Sequence, residues 1–345
     1  MSFIFGHLLL PYTIAVFLAI NMGGSGTAPS FSAAYGANII KRSLIPGLFG
    51  IMVFLGAILA GRNTAVTIGK ELLRPELVDY VIVSIILFSV SISLLVANLL
   101  GIPQSTSQST ILAVSAPAIY FNEMNYHKLW FEILPTWFIL PVISFFICLL
   151  IGKYIYNPIR RRGYFMSPQV SNHPILRVLI VVSALYVAFS IGANNVANAA
   201  GPIASLTINE LGLPGDEKSF TQIMILCTLI IAPNFGLGSS FFGHKLVKNT
   251  GKEIILFGKI EAVIIAIVTG SLLLAASLTK GIPTSLVQLN VGAILGIGVA
   301  KLGAKNIFRK TQVNKFFIVW IIAPVISFLI ALILIILADH AGIIN

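Results

Sequence analysis

Six stretches of the chain, near 44–60, 78–100, 129–152, 219–239, 254–279 and 315–338, run almost without charge for close to the thickness of a bilayer. About 20 apolar residues in a helix span the hydrocarbon core. Only 10% of the residues are charged and 57% are hydrophobic, whereas a soluble chain carries about 25% charged residues. A soluble domain cannot hide that much apolar surface, so the sequence reads as a polytopic α-helical membrane protein. Leu8–Ile20 has the apolar character of a signal peptide, but no basic segment precedes it and no clear cleavage site follows. It is read as part of the first span.

The net charge of +11 could suggest a nucleic-acid partner, but the charges are scattered through loops between apolar runs. Loop charge toward the cytoplasm explains them better, and no nucleic acid is expected. Cys148 and Cys227 each sit inside an apolar run without metal-ligand spacing, and both read as small buried hydrophobes. Neither a metal nor a cofactor is called for. No nucleophile–base pair or Walker-type loop appears, so an enzyme is not expected.

Two passages recur about 180 positions apart. Gly61–Leu72 parallels Gly243–Ile254, and Gly101-Ile-Pro-Gln-Ser-Thr-Ser-Gln108 parallels Gly281-Ile-Pro-Thr-Ser-Leu-Val-Gln288. A weaker pair sets Asn21–Ala28 against Ser190–Ala197. Each half parses into five crossings: a broken helix, at 7–40 and 175–209, then two long spans, a short helix starting at Gly-Ile-Pro, and another long span. An odd number per half requires opposite orientations. If 41–42, 153–177, 245–259 and 301–315 face the cytoplasm, those loops hold 16 of the 22 Lys and Arg, including Arg160, Arg161 and Arg162. Glu71, Glu76, Glu210, Asp216 and Glu217 fall on the other face, with both termini. The expected organisation is an N-terminal repeat at 1–152, a basic joint at 153–174, and an inverted C-terminal repeat at 175–345. The broken helices and Gly-Ile-Pro turns are expected to converge at the midplane.

Irregular backbone at membrane depth must be buried in protein or line a cavity, and matched breaks in inverted halves point to a midplane substrate site. Around Asn21–Ser32 and Ser190–Ala204, glycines would let the backbone approach a ligand, and freed N–H groups would cradle an anion. Small-residue helix packing is the competing account. It explains Ala197, Ala199 and Ala200 well, but Asn194, Asn195 and Asn198 poorly, because amides deep in a span need specific partners. At the Gly-Ile-Pro turns, Pro103 and Pro283 suit a helix start, while Ser105, Thr106, Ser107, Thr284 and Ser285 could cap it or donate to an anion. A single cap would suffice, yet the first turn places amides and hydroxyls at every position from Gln104 to Thr110. The expected substrate contacts are Asn21, Gly24, Ser25, Gly26, Thr27, Ser105, Thr106, Ser107, Gly192, Asn194, Asn195, Asn198, Thr284 and Ser285. Asn21, Asn195, Gln108 and Gln288 are the candidates for a coupling ion. No charged residue lies within these motifs; Glu253, Lys259 and Glu261, at the start of a span, read equally as interfacial or as coupling groups. His7, His127, His173, His244 and His340 sit near span ends.

These motifs, in this order, resemble the inorganic phosphate transporter family, whose signature is Gly-Ala-Asn-Asp-Val-Ala-Asn-Ala in each half. Gly192-Ala-Asn-Asn-Val-Ala-Asn-Ala199 differs only in Asn195, where the family has aspartate. In the first half, Gly23-Gly-Ser-Gly-Thr-Ala-Pro-Ser30 puts Gly26 at that position. In the family the two aspartates are taken to bind coupling cation and substrate. Phosphate near neutral pH still carries a proton and can donate a hydrogen bond to a carboxylate, whereas sulfate has no proton to give. The resemblance is therefore closest to the bacterial sulfate permeases of the family. It implies a secondary-active transporter in the plasma (inner) membrane. The expected partners are sulfate or a related tetrahedral oxyanion, a coupling cation (proton or sodium), the lipid bilayer and a second copy of the chain in a homodimer. A phosphate symporter and a passive anion channel are the alternatives.

Overall fold

The computed structural model describes residues 2–100, 104–158, 173–243, 258–309 and 311–344. Those residues form helices and connecting turns, with no strand among them. In chain order the main helices are α1 (Ser2–Gly36), α2 (Ile45–Ala60), α3 (Tyr80–Leu100), α4 (Thr106–Tyr120), α5 (Leu134–Leu150), α6 (Pro174–Asn195), α7 (Ala197–Glu210), α8 (Glu217–Ile231), α9 (Lys259–Thr279), α10 (Leu286–Leu302) and α11 (Thr311–His340). Among the described residues, eight continuous segments are long and apolar enough to cross a membrane, two of them being α6 joined to α7 and α8 extended to Gly243. The helices α4 and α10 are shorter and buried along much of their length.

The short helices exchange partners between the halves: α4 packs on α11, and α10 packs on α5. Likewise α2 packs on α6, and α1 on Pro233–Gly238 and the π-helical turn Ser239–Gly243 that follow α8. Polar contacts gather the loops into two faces. His7 meets Glu210 at 3.1 Å, Arg62 meets Glu217 at 2.7 Å, and Tyr120 donates to Asp339 at 2.7 Å. These tie both chain ends to the acidic loops. On the opposite face Asn157 donates to the Ala300 carbonyl at 2.7 Å.

The expected break in the first helix is absent: α1 continues from Ser2 to Gly36 with Pro11 and Pro29 inside it. Two effects hold it together. Thr27, Ser30 and Ser32 return their hydroxyl protons to carbonyls four residues back, and Ser25 to Met22, so the segment stays polar-satisfied as a helix. Its glycines are used for contact. A Cβ on Gly23 would lie 2.2 Å from the Phe235 carbonyl oxygen, and one on Gly238 would lie 1.8 Å from that of Ile20. In the second half the irregularity is a single residue, Val196, between α6 and α7. The cysteines are buried, as read from sequence. Glu261 is also buried and pairs with Lys301 at 2.7 Å. Pro103, His244, Glu253 and the Arg160–Arg162 triplet lie outside the described residues.

The α2–α6 crossing depends on an equally close approach: a Cβ on Gly192 would sit 2.0 Å from the Val53 carbonyl oxygen. Backbone cannot yield as a side-chain tip can, and overpacking costs about 1–3 kcal/mol or more. Gly192→Val should lower the melting temperature of the detergent-solubilised protein by several degrees. Gly47→Ala, at a position with open space around it, should leave it within a degree.

Candidate functional site

The helices that follow the two Gly-Ile-Pro motifs, α4 and α10, bring their N-termini together in the interior. Ser105 is extended and its hydroxyl accepts from the Gln108 N–H at 3.3 Å, capping α4. Ser285 does the same for Gln288 at 3.3 Å, capping α10. Serine is favoured there because its oxygen satisfies one of the N–H groups that the helix cannot. The side-chain amides of the same two glutamines, Gln108 and Gln288, bind each other reciprocally, at 3.0 and 2.9 Å. The two coupling-ion candidates of the Gly-Ile-Pro motifs thus form a buried brace between α4 and α10.

Next to this brace lies a cavity lined by Ser25, Gly26 and Pro29 of α1, Gln104 to Thr106 at the start of α4, Ile191 and Asn195 of α6, and Ser285 to Val287 at the start of α10. It is contracted, about 20 Å³, little more than the roughly 10–15 Å³ that one water needs. Among the described residues, its wall carries no titratable side chain. Polarity comes from hydroxyls, amides and the positive ends of two helix dipoles, each equivalent to roughly half a unit charge. Pro29, lacking an N–H, cannot donate to the carbonyl of Ser25, and both residues line the wall.

The adjacent asparagines have opposite surroundings. Asn194 is spent on structure: its Oδ1 accepts from Ser107 Oγ at 3.2 Å and the Thr284 N–H at 3.0 Å. Its Nδ2 donates to Ser277 Oγ at 2.8 Å and the Ile282 carbonyl at 3.1 Å. That fixes the second Gly-Ile-Pro turn. The side chain of Asn195, a residue 7% exposed, makes no hydrogen bond to another described residue, and its Oδ1 is buried without a partner. Deeper, Asn198 donates to Ser107 at 3.3 Å, and Asn98 donates to the Asn21 carbonyl at 2.9 Å. Asn98 and Asn198 each retain a buried, unpartnered Oδ1.

Of the substrate contacts expected from sequence, Ser25, Gly26, Ser105, Thr106, Asn195 and Ser285 meet at this cavity. Asn21, Ser107, Asn194, Asn198 and Thr284 form the hydrogen-bonded layer around it. Gly24 and Gly192 serve contact: a Cβ on Gly24 would meet Phe242 Cβ at 2.6 Å. Thr27 lines a different cavity. Sequence reasoning missed Gln104, which lines the site while donating to Ser93 and Ser109 at 2.8 and 2.7 Å. It also missed Asn98. Each had a signal, as an amide in a hydroxyl run and a lone amide in an apolar span.

Residues 22–331 match the model of the phosphate transporter family. The chain belongs to that family. It is 32% identical over 326 residues to the sulfate permease CysP of Bacillus subtilis, across 93% of this chain and 85% of that protein. A putative phosphate permease of Helicobacter pylori is 26% identical, across 84% of this chain and 68% of the relative. In architecture it is similar to a sodium-dependent phosphate transporter, with a TM-score of 0.78 at 22% identity, covering 97% and 99% of the two chains. The protein is thus a multi-pass membrane transporter for inorganic anions and not an enzyme.

The glutamine brace gives a direct test of how the site is held. Gln108→Leu strands a buried amide on Gln288, at a cost of about 1–3 kcal/mol. Gln108→Leu/Gln288→Leu removes both partners. The double variant should be destabilised by clearly less than the sum of the singles, measured as melting temperature in detergent. Additive losses would mean that the pair is not coupled.

Proposed function

We propose that the protein is a secondary-active sulfate permease of the plasma (inner) membrane, and that Asn195, Ser105, Thr106, Ser285, Ser25 and Gly26 contact the anion. The observation that carries this reading is that none of the described residues on the cavity wall has a titratable side chain. Sulfate is a dianion with no proton to share. Neutral donors and helix N-termini can hold it, whereas a carboxylate beside it would only repel it. The likeness to a sulfate permease over 93% of the chain supports the same reading.

Phosphate is the second reading, favoured by the putative phosphate permeases among the relatives and by the family model. Against it stands Asn195, at the position where the family signature has aspartate, with Gly26 at the matching position of the first half. Phosphate loses there the charged carboxylate that would accept strongly from its proton; an amide oxygen accepts more weakly.

For the coupling cation the geometry favours sodium over a proton. The unpartnered oxygens of Asn98 and Asn198 lie in the layer around Asn21 and Met22. Amide oxygens ligate a hard cation but do not take up a proton at physiological pH. The reciprocal packing of α4 on α11 and α10 on α5, with paired serine caps, supports two inverted repeats at 1–152 and 175–345 joined by 153–174. In such an arrangement α4 and α10 would enter from opposite faces.

Proteoliposome uptake with imposed gradients tests both substrate and coupling. Radiolabelled sulfate should accumulate against its gradient when sodium is imposed, and phosphate should enter at least tenfold more slowly. Uptake that only equilibrates sulfate would make the protein a channel. Asn195→Asp should depress sulfate transport by ~10-fold or more, because a carboxylate beside a dianion at low effective dielectric costs several kcal/mol. Phosphate transport should fall less. The penalty should shrink as pH falls and the new carboxyl protonates. Equal sulfate transport by parent and variant from pH 6 to 9 would contradict the selectivity argument.

A further inference from the structure

A second cavity, of about 40 Å³, opens toward the basic face of the molecule. It lies between Thr27 and Tyr35 of α1, Arg42 in the loop before α2, Pro46 in the first turn of α2, and Ser239 and Ser240 of the π-helical turn. Its polar groups are arranged for an anion. Arg42 is exposed, and no described residue pairs with it. Ser239 is 4% exposed, and its Oγ is buried with no hydrogen-bond partner although the residue lines the cavity. Thr27 and Ser240 have already given their protons to the Gly23 and Gly236 carbonyls, at 2.7 and 3.2 Å. Ser239 is therefore a donor held in reserve at the wall. Among the described residues, no aspartate or glutamate lines the space.

The second cavity shares a helix with the first. Ser25, Gly26 and Pro29 line the contracted site, and Thr27 and Tyr35 line this one. Phe49 separates them. Its Cζ stands 3.0 Å from where a Cβ on Gly26 would sit, while Ile45 and Pro46, one turn earlier on α2, line the outer cavity. The ring is fully buried and meets Phe31 edge-on, with centroids 6.4 Å apart. An anion leaving the inner site along α1 toward the basic loops would have to pass this ring and would then meet Arg42.

We propose that this cavity is a separate binding site for a tetrahedral oxyanion on the cytoplasmic side of Phe49, with Arg42 and Ser239 as its anion-holding groups. The inference rests on the transport reading above, since it supplies the reason for an anion to arrive there. It also accounts for the difference in chemistry between the two cavities. An arginine at membrane depth is costly, which suits an inner site of neutral donors, whereas at the interface the guanidinium stays hydrated and costs little. A charge there also raises local anion concentration at the mouth.

Both native cysteines are buried, so Ser240→Cys provides an exposed thiol at the cavity wall for a charged methanethiosulfonate reagent. In the detergent-solubilised full chain, millimolar sulfate or phosphate should slow labelling of Ser240→Cys at least threefold, relative to chloride at equal ionic strength. Adding Arg42→Gln should abolish that protection, and Arg42→Lys should keep part of it. Adding Asn195→Ala should leave protection in place, because that residue belongs to the inner cavity. Labelling that is indifferent to both anions, protection that survives Arg42→Gln, or protection lost with Asn195→Ala would each overturn the second site. Lost protection with intact sulfate uptake by the parent sinks this inference alone. Intact protection in a protein that accumulates no sulfate sinks the transport reading alone.

Discussion

Every backbone N–H and C=O at membrane depth has to be paired inside the protein, because lipid offers no partner. The rest of this structure follows from how that demand is met where α4 and α10 begin. Each helix starts with N–H groups that its own turns cannot satisfy. A serine caps each start. Asn194 ties the approach to α10 through the Thr284 N–H and the Ile282 carbonyl, and the Gln108–Gln288 amides lock the two helices to each other. Groups left over after this pairing face one small cavity. The site is thus a consequence of how the turns are satisfied, with a few donors deliberately unspent.

The same constraint sets the electrostatics. A buried arginine would bind an anion strongly but would be costly when the site empties, as it must in every transport cycle. Helix ends and hydroxyls carry partial charges that are fixed by the fold and largely oriented before the anion arrives. The formal charges lie where water reaches them: His7 with Glu210, Arg62 with Glu217, and Arg42 at the opposite mouth. Among the described residues the exception is the buried Glu261 of α9, neutralised by the partly buried Lys301 of α10.

Much of this was legible in the sequence. The apolar runs gave the spans, and the Gly-Ile-Pro turns marked the starts of α4 and α10 because proline and serine have position-specific roles at a helix start. The break expected in α1 was not legible. Glycines, hydroxyls and a proline read as a helix that opens, yet the partners that make it stay closed, Phe235 and Phe242, lie about 210 positions away. Nor could the sequence separate Asn194 from Asn195. One position along a helix turns a side chain by about 100°, which here divides a structural clasp from a cavity-facing amide. Only the placement of Ser277 and Thr284 decides which is which. The same applies to Thr27, one residue from Gly26 in sequence but on the wall of the other cavity.

The central claim is that a doubly charged oxyanion sits among neutral groups between the N-termini of α4 and α10. Selenate has the shape and charge of sulfate and scatters X-rays anomalously, so it reports its own position. A crystal structure of the full chain with selenate should place the strongest selenium peak within hydrogen-bonding reach of Ser105, Ser285 and Asn195. A strongest peak elsewhere, with this cavity filled only by water, would contradict the account.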